Sequence, residues 1–339
     1  MRMRRATARQ CLVAVAMLVA WWWHSHAEAA PCRFVKFATL PVDTQRVSPY
    51  IDGSVNGHPI KVLVDSGATG TSLTRSIAER ADLPLSHSGM VNVGVSGDSA
   101  DYNARVKELT FGPVHWERVN LSVIWDLAKD MPFEALLGAD FLFQNDIELV
   151  LAEKQIRFFR PEGCGKTAHL AYWDADAAVV PMLPDAPDDR RAVIQVLVNG
   201  QPLKALIDTG ATVSSIDQAA AAKAGVAPPV SAPAAANAGE HAVGIGTHAV
   251  PMWVGSFDRV EIGSEFIENA KLRVMDMRGA ALKDTNTQGR AEMLADDAPI
   301  VLGADFLTAH RVLIAVSQRR VYLTHLGGRI FSVDEKSKP

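Results

Sequence analysis

The chain has 339 residues, of which 48% are apolar, 21% charged and 7% aromatic, and its mean hydropathy is near zero. That balance excludes wholesale disorder, collagen and coiled coil, and the length suits about two domains, each able to bury its own core. Lys and Arg number 34 against 38 Asp and Glu, so there is no basic excess to attract nucleic acid.

Taken in chain order, residues 1–30 stand apart. Arg2, Arg4, Arg5 and Arg9 precede an apolar run from Cys11 to Trp23, and Ala27-Glu28-Ala29 offers small residues around a cleavage site. A positive start, a short apolar core and an A-x-A pattern predict a secretory signal peptide, with export to the periplasm or the medium. The run is about 13 residues, short of the roughly 20 that a membrane span requires, so no stable span is expected once the leader is removed. An uncleaved N-terminal anchor is the alternative. Export changes what the cysteines mean: Cys11 leaves with the leader, and Cys32 and Cys164 are expected to form one disulfide, two free thiols being the alternative. No H-E-x-x-H or C-x-x-C pattern occurs, and no metal or cofactor is expected.

An internal repeat organises the rest. Val55–Leu83 and Val198–Val226 align at a constant offset of 143 without a gap, with 13 of 29 positions identical. A second block, LGADFL, recurs at Leu137–Leu142 and Leu302–Leu307. The chain reads as a tandem duplication: a first lobe over 31–160, a Pro/Ala/Asp-rich connector over 161–191 and a second lobe over 192–334.

Each copy reads mostly as β. Strands are predicted at Tyr50–Val55 and Val193–Val198, each ending in the hairpin signal Asn-Gly, then at Ile60–Val64 and Leu203–Ile207. Short helices follow, with Thr74 and Asp217 as N-caps. The copies close with apolar strands at Ile147–Leu151 and Ile156–Phe159, and at Val312–Val316 and Val321–Leu323. A turn at Leu326–Arg329 is predicted to lead into a last strand, Ile330–Val333. Gly225–Gly239 and an insertion within Met277–Ala298 read as surface loops.

The chemistry lies at Asp65-Ser66-Gly67-Ala68-Thr69 and Asp208-Thr209-Gly210-Ala211-Thr212. One Asp-Ser/Thr-Gly is weak evidence, since polar turns often carry it. Two at equivalent repeat positions, each after an apolar strand, put a carboxylate at the end of a buried strand in each copy. Pseudo-twofold symmetry would bring those ends together, and carboxylates about 3 Å apart share one proton. One can then act as base on a water while the other donates to a carbonyl oxygen.

On these residues the sequence resembles the retropepsin/pepsin class of aspartic peptidases, as a single-chain tandem of two retropepsin-like domains of the exported bacterial type. The resemblance runs from about Tyr50 to the C-terminal strand. It rests on Asp-Ser/Thr-Gly-Ala in each half and on the apolar-apolar-Gly triplets Leu136-Leu137-Gly138 and Val301-Leu302-Gly303. It implies an all-β fold of two pseudo-twofold-related acid-protease barrel lobes, each with a short helix after the LGAD motif. It also implies Asp65 and Asp208 as the catalytic dyad, with Ser66 and Thr209 cross-linking the two loops and Gly67 and Gly210 presenting N–H groups to the carboxylates. Leu137, Gly138, Leu302 and Gly303 would thread beside the catalytic loops. Asp140 and Asp305, also paired, are expected to cap helices or make structural hydrogen bonds.

That class covers its cleft with a hairpin flap. The candidates are Val91–Tyr102, with Gly94, Val95, Ser96 and Gly97 at its tip, and Ala242–Trp253, with Gly244, Ile245 and Gly246. Neither tip carries an aromatic residue. The implied function is an aspartic endopeptidase acting as a monomer on peptide or protein substrates. A silent peptidase-like scaffold that holds a peptide or envelope ligand without cutting it is the competing reading.

Overall fold

The computed structural model describes residues 31–94, 97–124, 131–184, 189–228, 241–242, 250–277 and 298–331, and the side chains of 89–101 lie outside that description. After β1 (Arg33–Pro41), the first lobe is a seven-stranded sheet. It contains β2 (Tyr50–Val55), β3 (His58–Val64), β4 (Ser72–Thr74), β5 (Leu85–Gly94), β6 (Gly97–Phe111), β7 (Val114–Ile124) and β8 (Ala135–Leu137). Its order is β2-β3-β8-β4-β7-β6-β5, and a further β2–β6 pairing closes it on itself.

Next come β9 (Asp146–Val150), β10 (Gln155–Glu162) and β11 (Ala178–Pro181), and then the second lobe. Its strands are β12 (Val193–Val198), β13 (Gln201–Ile207), β14 (Ser215–Asp217), β15 (His241–Ala242), β16 (Val250–Ile262), β17 (Glu265–Met275) and β18 (Ile300–Leu302). Their order is β12-β13-β18-β14-β17-β16-β15, closed by β12–β16, which matches the first lobe strand for strand. The fold is all-β and two-lobed, as the repeat predicted, and has the acid-protease architecture that the resemblance implied.

Local chemistry accounts for the matching hairpins. Asn56 and Gly57 have φ of 49° and 82°, and Asn199 and Gly200 have 48° and 77°. These are the left-handed values that a two-residue hairpin turn needs and that Asn and Gly tolerate.

The lobes are joined by a six-stranded antiparallel sheet, β1-β10-β9-β19-β20-β11, which includes β19 (His310–Ala315) and β20 (Arg320–His325). The β9–β19 seam pairs Ile147 with Ile314 and Leu149 with Val312. One face of this sheet, carrying Ile147, Leu149, Ile156, Val312, Ile314 and Val321, joins the main core. Leu313, Ala315 and Tyr322 face the other way, against Leu170, Ala171 and Ala177. The connector is therefore not a bare linker. Pro161 and Glu162 extend β10, Ala178–Pro181 supplies an edge strand, and the segment between covers the outer face. On that face, fully buried Glu148 accepts from Arg157 Nη1 (3.1 Å), Arg311 Nε (2.7 Å) and the Tyr172 hydroxyl (3.1 Å), tying the two halves together.

Two other expectations are corrected. Ile330 and Phe331 form no strand, because both sides of β20 are already taken by β19 and β11; Phe331 packs over Phe306 instead. Ser332 and Val333, like most of the loops at 225–239 and 277–298, lie outside the described residues. Thr74 stands at the N-cap of α1 (Arg75–Arg80), but its hydroxyl pairs with Ser76 Oγ (2.8 Å) and caps nothing. Asp217 does cap its helix, α3 (Gln218–Lys223), accepting from Ala219 N at 2.9 Å.

Cys32 and Cys164 are disulfide-bonded across 132 residues, fastening the start of β1 to the connector. Replacing both with Ser should lower stability by about 2–4 kcal/mol. The measurement is a denaturant melt of both proteins, with reductant expected to bring the wild type down to the level of the variant.

Candidate active site

The site begins with two buried strands. β3 runs parallel to β8, pairing Leu63 with Leu136, and β13 runs parallel to β18, pairing Leu206 with Val301. Each chain leaves its apolar slot at an aspartate whose N–H donates back into it, Asp65 N to Leu137 O and Asp208 N to Leu302 O, both at 3.0 Å. The returning strand then passes behind the aspartate loop, where Ala139 N donates to Ala68 O (2.8 Å) and Ala304 N to Ala211 O (2.7 Å). A Cβ on Gly138 would lie 2.5 Å from Gly70 C, and one on Gly303 would lie 2.6 Å from Val213 C. Backbone passes against backbone at both places, and only glycine fits. The flanking residues Leu137 and Leu302 are buried.

The two loops meet tip to tip. A Cβ on Gly67 would stand 2.3 Å from Asp208 Cγ, and one on Gly210 would stand 2.4 Å from Asp65 Cγ. Each glycine thus lies against the carboxyl of the opposite lobe, and the two carboxyls share a hydrogen bond. Asp65 Oδ1 accepts from Gly67 N and Ala68 N, both at 3.0 Å; Asp208 Oδ1 accepts from Gly210 N (2.8 Å) and Ala211 N (3.2 Å).

Beneath the carboxyls the loops are stitched crosswise. Ser66 Oγ donates to Ile207 O (2.8 Å) and accepts from Thr209 N (3.0 Å). Thr209 Oγ1 donates to Val64 O (2.6 Å) and accepts from Ser66 N (3.0 Å). Both hydroxyls are fully buried. Four such bonds over so few residues fix the separation of the carboxyls. Thr69 and Thr212 are exposed and take no part in this stitching.

The environment lifts both acids. Burial pushes Asp65 well above the usual carboxylate range, the Asp208 charge and hydrogen bond push it further, and the Ala68 and Gly67 N–H groups pull it partly back. Burial also raises Asp208, opposed by its hydrogen bond with Asp65, the Ala211 and Gly210 N–H groups and the Arg191 charge. The pair titrates as a unit.

Asp140 and Asp305 lie away from this pair. Each sits one residue inside a short helix, α2 (Ala139–Leu142) or α4 (Ala304–Thr308), which opens within the LGAD motif and not after it. Asp140 Oδ1 accepts from Thr71 Oγ1 (2.8 Å), and Asp305 Oδ1 from Ser214 Oγ (2.7 Å). The same hydroxyls accept from the N–H of Gly138 (3.2 Å) and Gly303 (2.9 Å), so these acids brace the backbone behind the dyad. Sequence reasoning missed Thr71 and Ser214, although they stand 143 apart and both carry hydroxyls. It also missed Ser48, fully buried, whose Oγ donates to Gly210 O (3.2 Å) across the lobe boundary.

Of the flap candidates, the first is a hairpin whose strands pair down to Gly94↔Gly97, with Val95 and Ser96 outside the described residues. In the second, Ala242 pairs with Val250, and Gly244, Ile245 and Gly246 lie outside the described residues. Tyr102 pairs with Val123 and Trp253 with Val274, equivalent places at the base of each hairpin. Among the described residues no cluster of acids, His and Cys suits a metal, and no helix is long and apolar enough to cross a membrane.

The model of the family described as gag-polyprotein putative aspartyl protease matches residues 51–144 and again 194–309, more than half of the chain and one match per lobe. The chain belongs to that family. Among curated proteins, human Protein DDI1 homolog 2 is 29% identical over 142 residues, covering 38% of this chain and 34% of that protein. DNA damage-inducible protein 1 of Kluyveromyces lactis is 28% identical over 118 residues, 34% of this chain and 27% of that one. The chain spans about a third of the length of the curated relatives it matches. The crystal structure of an aspartic proteinase from Irpex lacteus aligns with a TM-score of 0.46 at 12% identity, over 85% of this chain and 97% of that one. Within this aspartyl protease family, the duplicated match falls on the same two halves that carry the facing carboxylates.

Proposed function

We propose that this aspartyl protease family member is an exported endopeptidase that works as a monomer, hydrolysing peptide bonds with a water held between Asp65 and Asp208. The observation that carries this reading is the crosswise approach of Gly67 to Asp208 and of Gly210 to Asp65, which leaves the carboxyls face to face. The ionised member takes a proton from the water as its oxygen bonds to the peptide carbon. The protonated member gives its proton to the carbonyl oxygen, and a tetrahedral diol forms. Collapse of the diol breaks the C–N bond: the protonated carboxyl gives its proton to the leaving nitrogen, and the ionised one takes a proton from a diol hydroxyl as the C=O re-forms, which restores the one-proton dyad. Ser66 and Thr209 hold the spacing, the N–H groups of Gly67, Ala68, Gly210 and Ala211 hold the carboxylates, and the β5–β6 hairpin is the flap assigned to cover a bound peptide. The leader-like residues 1–30 and the Cys32–Cys164 bond support an oxidising, exported setting.

The test uses the full chain and unfolded casein between about pH 3 and 7, with new peptide termini read by mass spectrometry. Internal cuts are expected, suppressed by a peptide in which a hydroxyl-bearing tetrahedral carbon replaces the scissile carbonyl. Folded protein that cuts casein at no pH would reject the reading.

A further inference from the structure

The stitching around the dyad is symmetric, but its surroundings are not. Strand entry is matched in the two lobes: Val64 N donates to Pro49 O and Ile207 N to Ala192 O, both at 2.9 Å. Ser48 and Arg191, the residues just before, therefore occupy corresponding places, 143 apart like the aspartates themselves. Ser48 shows where that place leads, since its hydroxyl crosses to the carbonyl of Gly210 in the opposite loop. In the second lobe the small neutral hydroxyl is replaced by a guanidinium whose side chain is only 13% exposed. Asp189 holds it in a fork, with Nε at 2.9 Å from Oδ1 and Nη2 at 2.6 Å from Oδ2.

The opposite flank differs in the opposite sense. Tyr50, whose phenol feels the Asp65 charge, is buried in an apolar cluster with Leu63, Ile124, Phe133 and Leu136; its place in the second lobe is taken by Val193. Burial, followed by Arg46 pulling down and Asp65 pushing up, leaves the Tyr50 phenol raised and neutral. The Asp65 flank thus carries a neutral phenol, whereas Asp208 feels a cation held by its own counter-ion.

We propose that Arg191, clamped by Asp189 in the place that Ser48 holds in the first lobe, is a positioning residue that eases ionisation of the dyad on the Asp208 side. The proposal rests on the dyad reading above. The charges that bear on it are those of Asp65, Asp208, Arg191 and Asp189, with Arg46 acting on Tyr50. Burial pushes Asp189 up, but the Arg191 hydrogen bonds and charge outweigh this and hold it below the usual range, so the clamp stays ionised in mild acid. Arg191 in turn opposes the burial of Asp208.

The sign follows. The base must be ionised to act, so removing the cation makes Asp208 harder to ionise and moves the acidic limb of kcat/KM to higher pH. Arg191→Met, which keeps length and loses charge, should shift that limb up by roughly half a unit to one unit, a loss of about 3- to 10-fold on the limb. Arg191→Lys should shift it less. Asp189→Asn removes the anion that offsets the cation and should move the limb the other way.

The measurement is the pH profile of kcat/KM on a fluorogenic peptide built around a mapped casein cut, with folding checked by circular dichroism. Opposite shifts for Arg191→Met and Asp189→Asn support the proposal. Lower kcat with an unmoved limb in folded variants overturns it and leaves the dyad reading intact. If Arg191→Met fails to fold, the Lys and Asn variants decide in the same way. Loss of the dyad reading itself would show differently, as casein cleavage that survives Asp65→Asn.

Discussion

Asp65→Asn and Asp208→Asn, made separately, should each lower casein cleavage by at least about 100-fold, the low end of what positioned acid–base groups supply. Asn keeps the carbonyl-like oxygen that accepts from Gly67 N and Ala68 N, or from Gly210 N and Ala211 N, so the loops should stay in place. The ability to take a proton from water or return one to the substrate is what disappears. The effect should be similar from either side, because the proposed chemistry needs both groups in different protonation states at once. Cleavage that survives in one variant would mean that the other carboxyl acts alone, and the shared-proton mechanism would fall.

The same variants carry a stability signature. Both aspartates titrate above the ordinary carboxylate range in the folded protein, chiefly through burial. Such a group contributes its stabilisation fully below its unfolded pKa of about 3.9 and loses it as pH rises through the folded titration. The melting temperature of the wild type should therefore fall relative to Asp65→Asn between about pH 4 and neutrality, and the variant should be at least as stable near pH 7. Calorimetry at several pH values checks this, and parallel curves for the two proteins would contradict the raised titration.

How much of this was legible in the sequence depends on the range of the forces involved. Asn56-Gly57 and Asn199-Gly200 specify their hairpins through two residues' own φ preferences, so the strands that flank them could be read directly. The dyad was legible for another reason: a gapless repeat turns one ambiguous Asp-Ser/Thr-Gly into two at equivalent places, and symmetry supplies the long-range contact. The joining sheet had no such signal. Its β9–β19 seam pairs Ile147 with Ile314, residues with no turn between them, and β11 came from a segment whose Pro, Ala and Asp content read as linker. The last strand failed for a related reason, since Ile330 and Phe331 have β-forming side chains but meet no free sheet edge. Ser48 was hidden because a hydroxyl's partner is set by tertiary geometry and leaves no pattern in the local sequence, whereas Thr71 and Ser214 were marked only by their matching places in the repeat.

Gly67→Ala and Gly210→Ala test the face-to-face arrangement most directly, because their damage should fall on the other lobe. The added methyl of Gly67→Ala would sit 2.3 Å from Asp208 Cγ, and that of Gly210→Ala 2.4 Å from Asp65 Cγ. Neither carboxyl can simply step aside. Asp208 is held by two N–H groups of its own loop, and the Ser66–Thr209 stitching stops the loops from parting. The methyl must then rotate the opposite carboxyl out of line or force the lobes apart. Misplacement by about 1 Å costs on the order of 100-fold in rate, and overpacking costs about 1–3 kcal/mol in stability. Gly165→Ala, where a Cβ would meet nothing within 4 Å, should leave both cleavage and melting unchanged. The crossed effect should be visible by carboxyl-carbon NMR: Gly67→Ala should disturb the titration of Asp208 more than that of Asp65, and Gly210→Ala the reverse. If each alanine disturbed only the aspartate of its own loop, the two tips could not be in contact, and no water could be shared between them.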